Sequence, residues 1–329
     1  MTDHSRNIEV IAAPSPFALP DVQPLAAQKF ADPMLTAKGE IRASVAMTGL
    51  ATLWFNTGTL CNLACTSCYI ESTPTNDALV YITLEEVCAY LDEIDSLALP
   101  TREIAFTGGE PFMNREMVPI IQLCLTRGFD VLVLTNAMRP MRRFERELLA
   151  LSGKERLTLR VSLDHFTGAV HEAERGPNTW DIAIDGLVWL AQNGFDIAVA
   201  GRHLAGEADA EARAGYARLF AEYALPVDAS DPARLVLFPA MDETADIAEI
   251  STGCWDILNV DPASMMCASS RMVVKRKGEP VPRVSACTLL PYQPDFDMGA
   301  SLAEAMRDVR LNHPHCARFC VLGGASCSA

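Results

Sequence analysis

The chain predicts an α/β protein made of parallel strand–helix units, and three observations carry that expectation. Short apolar runs alternate with amphipathic stretches from residue 50 to about 240, with short connections between them. That is the pattern of right-handed parallel crossovers. The apolar runs are too uniform for a one-sided sheet, so both faces are expected to be covered. After about Ala240 the alternation stops and cysteines return as Cys254, Cys267, Cys287, Cys316, Cys320 and Cys327. Residues 1–48 then form a Pro-rich extension, 49–240 the α/β body, and 241–329 a small cysteine-rich domain. Pattern alone leaves open whether the six strands make an open doubly wound sheet or a partial barrel.

Each element has its own signal. Pro14, Pro16, Pro20, Pro24 and Pro33 predict an extended or partly disordered arm, since closely spaced prolines resist both helix and sheet. Leu50 to Phe55 is the first strand. Thr83-Leu84-Glu85-Glu86 is a capping box opening a helix through about Leu97. Its Leu84, Val87, Cys88, Leu91 and Ile94 share one face, so Cys88 is expected in the core. Glu103 to Phe106 is the second strand, followed by a helix from about Arg115 to Arg127 that buries Cys124. Asp130 to Leu134 is the third strand, and a basic amphipathic helix from about Met141 to Leu151 follows it. Leu157 to Leu163, Asp196 to Ala200 and Arg234 to Pro239 complete the strands, with helices at Thr179 to Asn193 and Asp209 to Ala224. Met272 to Lys275 and Val281 to Val284 are expected to form a hairpin, and Ser301 to Arg310 a last helix.

Composition narrows the function classes. Half of the 329 residues are hydrophobic, yet no apolar run approaches the roughly 20 residues of a membrane span. No basic segment followed by an apolar stretch opens the chain, so no export signal is expected. Eleven cysteines in such a chain point to metal ligation in a reducing cytoplasm, not to disulfides. A net charge of −15 argues against a nucleic-acid partner. The basic runs Arg139 to Arg146 and Arg271 to Lys277 are expected to be solvated surface, where an acidic electron donor has a place to dock.

The chemistry concentrates in Cys61-Asn62-Leu63-Ala64-Cys65-Thr66-Ser67-Cys68-Tyr69, directly after the first strand. Three thiolates on so short a loop can turn onto one small soft-metal object. Three ligands on a 4Fe–4S cluster leave one iron open to an exchangeable ligand. A zinc knuckle is the bland alternative, but zinc takes four protein ligands in paired spacings, and no His or fourth Cys lies nearby. Phe106-Thr107-Gly108-Gly109-Glu110-Pro111 ends the second strand. Together the two motifs resemble those of the radical S-adenosylmethionine (SAM) superfamily. The resemblance implies a six-stranded partial (βα) barrel with ligands at the carboxyl ends of its strands. It implies that Cys61, Cys65 and Cys68 hold the 4Fe–4S cluster, with Tyr69 beside it, and that SAM chelates the open iron. Gly108 and Gly109 would let backbone approach SAM, and Glu110 would offer its ammonium group an anion.

Val161-Ser162-Leu163-Asp164 and Arg175-Gly176 resemble a segment that contacts the SAM carboxylate and ribose in related enzymes. Arg175 also reads as a surface residue. Arg202 is the alternative carboxylate partner, because a guanidinium matches a carboxylate fork. Asn136 is either a cofactor contact or a loop cap.

In the last segment, Cys267 and Cys287 flank the expected hairpin and Cys316-x3-Cys320 follows. This resembles the auxiliary-cluster domain called twitch, a relative of the SPASM domain, and implies a second 4Fe–4S cluster on Cys267, Cys287, Cys316 and Cys320. Gly278 lies further from Cys287 than that pattern has it, and a structural zinc site fits the same spacings. Cys254 and Cys327 remain over. Cys254 sits in a turn where the chain can fold back over the open iron, which makes it the candidate catalytic cysteine.

The expected activity is reductive SAM cleavage followed by radical modification of a small molecule or peptide, with flavodoxin or ferredoxin as electron donor. No separate leader-binding domain is visible, which leans towards a small molecule or a partner-delivered peptide. A maturase working with a leader-binding partner is one alternative. A non-catalytic iron–sulfur or zinc protein is the other, and it has no use for the Gly-Gly-Glu-Pro turn.

Overall fold

In the computed structural model, which describes residues 14–324, strands and helices alternate from Thr52 onwards. A short strand β1 (Ser44–Val45) precedes β2 (Thr52–Asn56). Then α1 (Leu84–Ser96) leads to β3 (Glu103–Thr107), and α2 (Met117–Thr126) leads to β4 (Asp130–Thr135). The short helices α3 (Arg139–Arg142) and α4 (Glu145–Leu149) precede β5 (Leu157–Ser162). Next come α5 (Gly168–Arg175) and α6 (Trp180–Gln192), then β6 (Asp196–Arg202), α7 (Asp209–Glu222) and β7 (Leu235–Phe238). The rest holds α8 (Cys254–Leu258), β8 (Ser270–Val274), β9 (Arg283–Ser285), α9 (Leu302–Ala305) and β10 (Val309–Arg310).

Eight strands form one sheet in the order β7-β6-β5-β4-β3-β2-β8-β9, and β1 pairs with β10 in a second, two-stranded sheet. Pairing is parallel throughout the large sheet except between β8 and β9. β2 and β8 are buried at every position, as expected of strands covered on both faces. Helix α1 starts at the expected capping box, with the Thr83 and Glu86 side chains each bonded to the other's backbone. It lays Val87, Leu91 and Ile94 into the core, and Tyr90 meets Phe55, which stacks on Phe106 at 5.7 Å. Strands β2 to β8 all run the same way, so their carboxyl ends gather on one side. Thr107, Thr135, Ser162, Arg202 and Phe238, from five consecutive strands, line a single cavity there.

Several expectations need correction. The stretch from Met141 to Leu151 is not one helix. Pro140 sits in the first turn of α3, and the chain breaks at Phe144, whose ring packs 6.3 Å from Phe112. The helix expected from Ser301 to Arg310 keeps its capping box but stops at Ala305, because Val309 and Arg310 pair with β1. The expected hairpin forms, but β8 also adds in parallel to β2 and extends the main sheet. Cys124 is fully buried, whereas Cys88 is only half-buried and its sulfur accepts a 3.1 Å bond from Arg127. Arg271 is no surface residue: it is fully buried on β8.

The described part of the N-terminal extension is irregular but packed. Arg42 is buried, pairs with Glu249 at 2.6 Å, and donates to the carbonyls of Asp32, Leu35 and Leu311. Pro24 bridges to Ala245, and Phe17 is buried. Among the described residues no helix is long and apolar enough to cross a membrane.

Candidate metal and cofactor site

The loop after β2 places Cys61, Cys65 and Cys68 on the wall of the cavity at the strand ends. Cys61 is buried, and its sulfur accepts a 3.4 Å bond from the Leu63 N–H; the Cys68 sulfur accepts one of 3.4 Å from Ser72. Such N–H donors suit sulfurs that carry thiolate charge on a metal. Burial pushes the Cys61 thiol up to about 12 and the Cys65 thiol to about 11, with Arg175 pulling against burial in both. Bound iron reverses that balance, because a coordinating thiol gives up its proton. The donor set is therefore soft, convergent and short of a cation, and it fits a cluster held by three cysteines.

Helix α5, which sequence patterning did not reveal, fixes this loop. The Glu174 carbonyl accepts from the Thr66 N–H at 2.9 Å. Its carboxylate accepts from the Ser67 N–H at 2.9 Å, the Ser67 hydroxyl at 2.7 Å, Arg202 at 3.2 Å and the Ser15 hydroxyl at 2.5 Å. Glu174 is 2% exposed, so this buried carboxylate is held by four donors, two of them from Ser67 between Cys65 and Cys68. Arg202 also donates to the Ser67 hydroxyl at 2.6 Å, and its guanidinium lies 4.6 Å above the Phe17 ring. It is committed to the loop. The only hint in the sequence was the acidic residue beside Arg175.

Arg175 is not a surface residue. It lines the cavity and forks onto Asp164, with Nε donating to Oδ2 at 2.5 Å and Nη2 to Oδ1 at 3.3 Å. Burial alone would raise the Asp164 carboxyl, but the Arg175 charge overrides it and holds the group below its usual range. Ser162 and Tyr69 line the same cavity. Asn136 both lines it and ties loops together: its amide donates to Asn62 at 2.9 Å and its carbonyl oxygen accepts from the Met138 N–H at 3.0 Å.

The Gly-Gly-Glu-Pro turn does something the sequence did not disclose. A Cβ on Gly109 would sit 2.3 Å from the Leu60 carbonyl oxygen, and one on Gly108 would sit 2.7 Å from that of Gly58. The close approach that demands glycine is to the chain's own backbone just before Cys61, although both glycines also line the cavity. Glu110 is buried, and its carboxylate turns to the end of β4. It accepts from the Thr135 hydroxyl at 2.8 Å, the Asn136 N–H at 2.8 Å and the Phe112 N–H at 3.2 Å. It is not among the cavity-lining residues. Burial lifts its carboxyl to about 7 against the pull of those donors.

Cys267, Cys287, Cys316 and Cys320 all line a second, smaller cavity, with Met266, Leu289, Phe296, Leu311 and His315 among its other walls. Cys267 lies on the turn before β8 and Cys287 just beyond β9; Cys316 and Cys320 are four apart on a π-helical turn, Cys316–Val321. The Leu289 N–H donates to the Cys287 sulfur at 3.4 Å, repeating the arrangement at Cys61. Leu289 lines both cavities. Cys254 lines neither: it opens α8, with its sulfur 3.4 Å from the Ser251 N–H. Cys327 lies outside the described residues.

Residues 55–212 match the family model of the radical SAM superfamily. A stretch of 116 residues is 34% identical to the antilisterial bacteriocin subtilosin biosynthesis protein AlbA of Bacillus subtilis (strain 168). It covers 35% of this chain, and the chain spans about a quarter (25%) of that relative. Among solved structures, Streptococcus suis SuiB bound to S-adenosylmethionine aligns with a TM-score of 0.56 at 10% identity, over 78% of this chain and 64% of that one. The structure of anSMEcpe with bound AdoMet aligns with a TM-score of 0.56 at 13% identity, over 78% and 77%. At such identities the likeness is one of fold.

Proposed function

The chain belongs to the radical SAM superfamily through its domain at residues 55–212, and from that premise we propose that it cleaves SAM reductively and modifies a peptide by radical chemistry. The observation that carries the proposal is one cavity: Cys61, Cys65 and Cys68 share it with Gly108, Gly109, Ser162 and Arg175 at the ends of the parallel strands. A 4Fe–4S cluster on those three cysteines, with SAM on its fourth iron, supplies one-electron cleavage of the sulfonium bond and a carbon radical. The protein's part is to bind, orient and exclude water. Glu174 and Arg202 hold the cysteine loop by Ser67. Arg175 and Asp164 present a fixed fork on the wall, and Ser162 offers a hydroxyl beside it. Tyr69 closes the loop side.

We assign the second cavity to an auxiliary 4Fe–4S cluster on Cys267, Cys287, Cys316 and Cys320, with its electrons passing from a flavodoxin or ferredoxin. Four thiols converging in an otherwise apolar pocket support that assignment. The peptide substrate rests on the likeness to AlbA, named as a bacteriocin biosynthesis protein. Reconstituted protein is expected to hold about eight irons per chain, as two 4Fe–4S clusters require. Incubation with SAM, dithionite and the short peptides encoded beside its gene should change the mass of one of them. Four irons with one zinc would remove the auxiliary cluster, and SAM cleavage with no altered peptide would remove the peptide.

A further inference from the structure

Arg271 lies near the start of β8, opposite Leu53 of the parallel neighbour β2, and is fully buried. Its N–H groups are satisfied by neutral acceptors alone. Nε donates to the Ala305 carbonyl at 2.9 Å, Nη1 to Cys267 at 2.6 Å and Ser270 at 2.8 Å, and Nη2 to Arg307 at 2.7 Å. No carboxylate of the described residues lies within ion-pair distance of it. The other fully buried arginine, Arg42, does have one, in Glu249. Carbonyls answer the donors of a guanidinium but not its charge, and an unbalanced buried charge is expensive. The groups it faces include the auxiliary cysteines: it bonds the Cys267 backbone carbonyl, and Cys267 and Cys287, once ionised, are the strongest negative influences on it, ahead of Asp308.

We propose that Arg271 is the built-in counter-charge of the four-cysteine site, and that it sets the reduction potential of the cluster held there. A site of four thiolates is anionic, and each added electron makes it more so. A fixed positive charge in the same low-dielectric interior favours the reduced form. The bonds that tie its head to Cys267, Ala305 and Arg307 keep that charge from relaxing away, as outer-sphere groups do at metal sites. This rests on the auxiliary-cluster reading and extends it.

The test compares reconstituted wild type with Arg271→Gln and Arg271→Lys. Iron is counted, and the two reduced signals are separated by electron paramagnetic resonance, since SAM perturbs only the cluster to which it binds. For Arg271→Gln the auxiliary midpoint should move to lower potential while the SAM-site signal stays put, and Arg271→Lys should recover most of the shift. If Arg271→Gln fails to load the auxiliary site, retention of about eight irons by Arg271→Lys supports the same conclusion. A Gln variant with the wild-type midpoint overturns the proposal. So does a Lys variant that matches the Gln variant in either readout, because packing and not charge would then be at work. Wild type without a second cluster fails the underlying assignment instead, and its four-iron count tells the two failures apart.

Discussion

Seven cysteines divide between two cavities built in opposite ways. The first sets charged and polar groups, among them Ser67, Asn136, Ser162, Asp164, Glu174, Arg175 and Arg202, among apolar ones such as Ile70, Leu134, Phe238 and Met241. Its cysteine loop is held from outside, by α5 and by the N-terminal segment. The second is walled by Met, Leu, Phe and Val around its four cysteines, with His315 as the polar exception. Its cysteines come from the flanks of a hairpin and from a tight π-turn. A wall with charged side chains beside three thiols suits a charged ligand that comes and goes. An apolar wall with four thiols suits a group that stays.

The widest separation of the two regions comes from their ligands. Changing Cys61, Cys65 and Cys68 together to Ala should remove about four of eight irons and leave the chain folded, since the loop contributes only Cys61 to the buried interior. Changing Cys316 and Cys320 to Ser should remove the other four and also lower the melting temperature, because those positions lie on the turn that closes an apolar cavity. Iron counts and calorimetry on the two variants check this; loss of all iron in either would mean the regions are not independent.

A smaller effect tests the tether. Glu174→Ala leaves Arg202 and Ser67 without their buried acceptor, which should cost about 3–5 kcal/mol. Glu174→Gln keeps one acceptor oxygen and should cost about 1–3 kcal/mol. Denaturant midpoints give the stabilities. Iron should fall at the first site only, and equal loss from both would contradict the tether.

The glycines sharpen the contrast further. Gly109→Ala drives a methyl into the Leu60 carbonyl, so it should cost about 1–3 kcal/mol and disturb the loop that starts at Cys61. Gly278→Ala, at φ +86° with open space around it, should cost about 1 kcal/mol and touch neither site. Midpoints with iron content separate the two.

A further effect is one of pH. Burial lifts Glu110 to about 7 from 4.5, so the folded protein keeps a proton the unfolded chain has already released. Stability should therefore fall by about 3 kcal/mol as pH rises from about 4.5 to about 7. Urea midpoints across that window should show the slope in wild type and lose it in Glu110→Gln. An unchanged slope removes Glu110 as its source.

What the sequence disclosed follows the range of the forces involved. The succession of strands and helices and the strand-end position of the cysteine loop were legible, because hydrophobic pattern and loop length are local and mark parallel units. The capping box at Thr83 was legible for the same reason. Glu174 was not, because its meaning lies in a contact with Ser67, 107 residues away. Glu110 read as a ligand-facing anion, yet its oxygens are taken up by β4, a pairing only the folded sheet creates. The helix expected beyond Ala305 yielded to strand pairing with β1, where tertiary pairing outweighs helix propensity. Arg271 read as surface in a basic run because charge alone does not reveal burial.

The most direct measurement is anaerobic formation of 5′-deoxyadenosine from SAM and dithionite by the reconstituted protein, beside its Cys61, Cys65 and Cys68 triple Ala variant. The account predicts turnover in the first and none in the second, with the auxiliary cluster still loaded in both. Equal 5′-deoxyadenosine from the two proteins, or none from a fully loaded wild type, would contradict it.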